Sequence, residues 1–131
     1  MNTSPDFRDE RSGVTVPSGV LTTILGPFQL PLYGTRSFTI LNQGSLTLSG
    51  AVVQINPDDK VFEQGIGAAQ NTPDAALWHT YDASAFRNMA AGEIRSYSAG
   101  ANVAYRWWRV AGMNNQTPSI STSGWLMAVK L

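Results

Sequence analysis

From Val20 onward the chain alternates apolar and polar residues with a period of two, which predicts strands. Val20-Leu-Thr-Thr-Ile-Leu25 is the first such segment, and Gly26-Pro27 after it reads as a turn. Phe28, Leu30 and Leu32 alternate across Pro31, the pattern of an irregular or edge strand. Arg36 to Leu41 places Phe38 and Ile40 on one face, and Leu46 to Ile55 is the longest strand candidate, with a bulge expected at Gly50. Leu77 to Tyr81, Glu93 to Ser98 and Val103 to Val110 follow, and Trp125, Met127, Val129 and Leu131 close the chain in alternation. Ala83 to Ala91, with Phe86, Met89 and Ala90 as its apolar positions, predicts a helical turn. Turn residues recur every eight to twelve positions, so the expected fold is all-β. The specific expectation is a single antiparallel β-sandwich or jelly roll over 19–131.

Residues 1–18 break the pattern. Charges crowd Asp6 to Arg11 between Pro5 and Pro17, with no periodicity, which predicts an extended N-terminal arm. Such an arm can order against another subunit, with Phe7, Arg8, Arg11, Val14 and Val16 as its contact residues. A polar loop over 56–76 is long enough to bind something or to meet a partner.

Charge changes this picture most. Between Arg11 and Asp58 only Arg36 is charged, and nothing is charged between Arg109 and Lys130. Charged residues make up 14% of the 131, against roughly 25% in an average globular protein. The uncharged strands carry Ser and Thr instead, a surface suited to packing against neighbours. Cysteine is absent, which excludes a disulfide framework, thiolate catalysis and cysteine zinc sites. With a net charge of zero and only two lysines, Lys60 and Lys130, no basic stripe for nucleic acid exists. No apolar run of about 18 residues is present, so no membrane partner is expected. The opening residues have no apolar h-region, so synthesis in the cytoplasm without Sec-type export is expected.

Candidate chemistry is sparse. His79, Asp82 and Ser84 hold the residue types of a triad, but triads are set by fold geometry and no G-x-S-x-G elbow is present. Asp58-Asp59, with Asn56 and Glu63, could gather oxygen ligands for a cation, without the spacing of a calcium loop. Arg106-Trp-Trp-Arg109 is the densest motif. Its neighbouring tryptophans must point to opposite faces unless a bulge separates them. Three readings stay open: core and outer-face packing, a subunit contact through Trp107, Trp108 and Trp125, or ligand stacking by Arg106, Trp108 and Trp125. No enzyme, cofactor or resident metal is expected.

A strand at Leu46 to Ile55, a polar loop, Leu77-Trp-His-Thr-Tyr81, Phe86, the Ala91-Gly-Glu turn and Tyr105-Arg-Trp-Trp-Arg-Val110 follow one another over residues 36–131. This order resembles the discoidin-like β-sandwich modules of tailed-bacteriophage structural proteins, and most of all capsid decoration (cement) proteins. The resemblance implies a non-enzymatic virion protein on the capsid surface. Its partners would be the major capsid protein and copies of itself, in a homo-oligomer such as a trimer. The alternative it implies is a carbohydrate-binding module of a phage tail or fibre. Sugar binders of the discoidin type carry an Asp-Gly turn before the Trp, where this chain has Asn71-Thr-Pro-Asp74.

Overall fold

A computed structural model describes residues 7–29, 33–57, 73–99, 107–115 and 118–130. Eight strands form: β1 (Phe7–Val16), β2 (Thr22–Gln29), β3 (Tyr33–Asn42), β4 (Leu48–Asn56), β5 (His79–Met89), β6 (Ile94–Ala99), β7 (Trp107–Gly112) and β8 (Ile120–Lys130). They make two four-stranded sheets, ordered β1-β8-β3-β6 and β2-β7-β4-β5, with every strand pair antiparallel. That order is the jelly-roll arrangement of a β-sandwich, so the expected fold class holds.

The core lies between the sheets. β3 contributes Phe38 and Ile40, and β8 contributes Ile120, Leu126 and Ala128. The facing sheet contributes Leu25 and Phe28 from β2, Ala51, Val53 and Ile55 from β4, Phe86 from β5, and Trp108 and Val110 from β7. Burying each large side chain contributes about 1.5–3 kcal/mol, which is why this alternation decides the register. Gly124 of β8 faces inward, where a methyl group would meet Ile40 Cδ1 at 3.1 Å and Leu25 Cβ at 3.3 Å. The missing side chain is what lets the sheets close there.

Trp108 joins the sheets. It is fully buried, Phe38 stacks on it at 5.8 Å, and Tyr81 meets it edge-on at 5.3 Å. The Arg36 guanidinium, buried on the inner face of β3, sits 5.1 Å from the same ring.

Two buried amides close the ends. Asn42 donates through Nδ2 to the carbonyls of Leu46, Met89 and Ala90, and its Oδ1 accepts from Gly44 N. Asn114 donates to the carbonyls of Val16 and Pro118.

Several expectations are corrected. The segment expected as an arm is strand β1 over Phe7–Val16, hydrogen-bonded to β8; residues 1–6 lie outside the described residues. Its period of two is hidden because two inner positions at the sandwich rim are charged. Asp9 and Arg11 lie opposite Leu126 and Gly124, where Arg11 pairs with Asp9 at 3.1 Å and covers the Phe28 ring at 5.5 Å. A register shift between Arg11 and Val14, at Gly13 with φ +64°, then brings Val16 into the core.

β2 begins at Thr22 and runs through the expected turn at Gly26-Pro27, with its register against β7 shifting on either side of Leu25. The helical turn expected at Ala83 to Ala91 is replaced over Ala83–Met89 by the second half of β5. The Asp82 carboxylate accepts from Ser84 N, Ser84 Oγ and Ala85 N, and this local turn makes a bulge instead of a helix. The strand bulge expected at Gly50 lies further on, where the β4–β5 register shifts between Ala51 and Gln54.

Because β1 is a sheet member, deleting residues 1–17 removes Val16 from the core and uncovers one edge of β8. The expected result is a loss of several kcal/mol, on the scale of a core truncation. Urea unfolding of the truncated chain checks it, against the unchanged midpoint a detached arm would give.

Candidate functional site

The outer faces of the two sheets differ. On the β2-β7-β4-β5 sheet the segment leading into β5, residues 73–78, crosses the outside. Pro73 is buried, and the buried Asn56 donates to the Asp74 carbonyl at 2.9 Å. Trp78 lies under the Arg109 guanidinium at 4.4 Å. Arg109 points outward from β7, donates from Nε to Gln54 Oε1 at 2.8 Å and from Nη1 to Thr23 Oγ1 at 2.9 Å, and so grips β2, β4 and the crossing segment together. Burial lowers the Arg109 pKa from its ordinary value, yet a guanidinium stays charged near neutrality.

Trp107 shares this outer side and is buried, with its indole N–H unpaired. The two tryptophans do point oppositely, but Trp107 leaves the core without reaching solvent. Trp107, Trp108 and Val16 therefore drop out of the expected contact surface, and Trp108 also drops out of the expected stacking set. Arg106 lies outside the described residues, and of Phe7 only the backbone position in β1 is described.

The other sheet is open on its outside. Two rows of side chains cross all four strands. Glu10, Trp125, Thr39 and Ser96 are register partners, and so are Arg8, Met127, Ser37 and Ser98. Thr39 and Ser96 share a hydroxyl hydrogen bond of 2.7 Å, and Ser37 and Ser98 one of 2.9 Å. Met127 is 42% exposed, Trp125 is half-buried, and Ile94 beyond the rows is 60% exposed. Arg8, Glu10, Ser37, Thr39, Trp125 and Met127 line a groove of about 620 Å³.

Over β8, β3 and β6 the described outward positions carry no charge; Arg8 and Glu10 on β1 are the charged members of the two rows. The inner positions of β8 include Ile120, Gly124, Leu126 and Ala128, and the alternation turns Trp125 and Met127 outward. Of the expected contact residues, Arg8 and Trp125 meet on this face. Arg11 and Val14 lie elsewhere on β1. Glu10, Ser37, Thr39, Ser96, Ser98 and Met127 escape a sequence reading because only strand register aligns them.

The triad reading fails geometrically. Ser84 Oγ donates directly to Asp82 at 2.8 Å, with no imidazole between them, and His79 Nδ1 lies 3.1 Å from the Leu77 carbonyl. Hydrogen bonds from Ser84 hold the Asp82 carboxyl below its ordinary pKa. Burial and the nearby Asp82 charge push the Tyr97 phenol up to about 12. Asp58, Asp59 and Glu63 lie outside the described residues. Among the described residues no group of three His, Cys, Asp or Glu converges, and no helix is long and apolar enough to cross a membrane.

No known family matches the sequence, and no curated protein does. Among solved structures the chain is similar to one from work on Bacillus endospore appendages, described as a family of disulfide-linked pili. Identity is 9% over 99% of this chain and 92% of that one, with a TM-score of 0.43. It is also similar to a cleaved adhesin domain of Lys-gingipain from Porphyromonas gingivalis. There identity is 15% over 80% of this chain and 61% of that one, with a TM-score of 0.41.

Two outcomes follow from these contacts. Arg109→Lys keeps the charge but loses the forked reach to Gln54 and Thr23, so unfolding free energy should fall by about 1–2 kcal/mol in denaturant titration. Tyr97 is more acidic unfolded, near 10, than folded, near 12. Its contribution is therefore complete below pH 10 and lost as pH rises toward 12, and Tyr97→Phe should flatten that alkaline limb of stability against pH.

Proposed function

We propose that this chain is a non-enzymatic structural subunit that works by burying the open outer face of the β1-β8-β3-β6 sheet against neighbouring subunits. The single observation that carries the reading is the uncharged, hydroxyl-lined face over β8, β3 and β6, with Trp125 and Met127 turned outward. A domain that stays alone in water places charges on such a face.

The edges support the same reading, because each is built against strand addition. β1 carries Arg8, Asp9, Glu10 and Arg11, β2 contains Gly26-Pro27, β5 is bulged at Asp82, and β6 is short. Assembly then runs through faces rather than edges.

In finer terms, the subunit is a capsid decoration protein of a tailed phage, made in the host cytoplasm and seated on the virion surface. There it contacts the major capsid protein and its own copies. The sequence order of strands and aromatic-arginine segments supports that version.

A second reading has its own observation. A half-buried indole beside Arg8, Glu10 and Thr39 in an open groove is a stacking platform for a sugar ring. A glycan array run with the wild type and Trp125→Ala separates it, because selective binding lost in the variant favours a carbohydrate module.

Thr39→Lys tests the main reading. The residue faces outward, so stability should change by no more than about 0.5 kcal/mol, while a buried lysine should abolish assembly. Light scattering and co-sedimentation with the particle read the result. A Thr39→Lys chain that assembles like the wild type overturns the proposal.

A further inference from the structure

We propose that the open face pairs with a second copy of itself, about a two-fold axis lying in the interface, perpendicular to the strands and midway between the two rows. This rests on the assembly reading above and specifies the partner and its orientation.

The argument is one of symmetry. Sheets pack face to face about 10 Å apart, with their strands within about 30° of alignment. An axis across the strands keeps β1 over β1 and β8 over β8 while exchanging the rows. Each residue of the Glu10-Trp125-Thr39-Ser96 row then faces its counterpart in the partner's Arg8-Met127-Ser37-Ser98 row. Arg8 meets the partner's Glu10, and Glu10 meets the partner's Arg8. Trp125 meets the partner's Met127, a favourable sulfur–aromatic contact. Thr39 and Ser96 meet Ser37 and Ser98, hydroxyl against hydroxyl, and each hydroxyl can both donate and accept.

No other placement of the axis does this. An axis along the strands lays β1 of one copy over β6 of the other. That sets Arg8 and Glu10 against the strand that carries Ser96 and Ser98, whose outward residues bring no opposite charge to the interface. An axis passing through either row sets like charge against like charge. The chosen axis puts the charges at the rim and the indole, thioether and hydroxyls at the centre, as recognition surfaces are built. Rim charges of this kind choose the partner and the register more than they add affinity.

The experiment uses the full chain in low salt, with native mass spectrometry and sedimentation equilibrium. The wild type should form dimers or assemblies built from them. R8E and E10R alone each place like charges against each other across the axis, and self-association should weaken about tenfold or more. Mixed one to one, R8E and E10R should recover association as heterodimers of one chain of each kind, resolved by mass. The double variant R8E/E10R should recover it as a homodimer. Thermal unfolding confirms that R8E, E10R, the double variant and M127K all fold.

If neither the mixture nor the double variant recovers association, the orientation is wrong. Loss of association in M127K would then still leave the face itself as the contact. If the wild type is monomeric at every concentration, the self-pairing is overturned, and particle attachment of Thr39→Lys judges the wider reading separately.

Discussion

A guanidinium lies inside this sandwich, and the ring that receives it is the point on which the two sheets turn. Arg36 is on β3 and Trp108 on β7, so their contact at 5.1 Å spans the core. Desolvation lowers the arginine pKa, which reports the cost of placing a cation there. The indole face offsets part of that cost through its quadrupole, which an aliphatic residue of equal size could not do. Phe38, two residues from Arg36 on the same inner face, stacks on the same ring. One indole thus holds a cation and an aromatic from the opposite sheet, with Tyr81 of its own sheet against its edge. Register in both sheets follows, because a slip of one residue in β3 or β7 would turn the arginine or the ring outward.

That constraint leaves the outer faces free to differ, and they do. The β2-β7-β4-β5 sheet spends Arg109, Trp78 and Gln54 on holding its own crossing segment, so its polar chemistry is used internally. The opposite sheet spends nothing of the kind. Its hydroxyls bond to each other across β3 and β6, which satisfies them without presenting charge. The same residue types that make a strand soluble also make it cheap to dehydrate when they are already paired.

The fold class was legible from period-two alternation wherever inner positions were apolar, as at Phe38 and Ile40. It was not legible in β1, whose inner positions include Asp9 and Arg11, because rim positions tolerate charges that a core position would reject. It was also lost in β5, where Asp82 turns the backbone by local hydrogen bonds and breaks the period. At the open face, Arg8 and Trp125 were visible as unusual residues. Their neighbours Ser37, Thr39, Ser96 and Ser98 were not, since strand register is a long-range property that spacing along one strand does not carry. The aromatic pair misled for a different reason. Alternation showed that Trp107 and Trp108 diverge, but spacing along one strand does not show that Trp107, turned out of the core, is buried as well.

Strand order has a consequence for how the molecule comes into being. β7 and β8, the last of the eight strands to be synthesised, are both central strands, β8 between β1 and β3 and β7 between β2 and β4. Until they leave the ribosome, β1 and β2 have no sheet neighbour at all, and β3 and β4 each lack one. Neither sheet can be completed before its last central strand has emerged, and β2 to β4, whose one charge is Arg36, must wait in solution with their apolar faces uncovered. Pairings between distant segments also close slowly. Crowding on polysomes, rather than the stability of the finished jelly roll, is then the stage at which this chain is most exposed to aggregation.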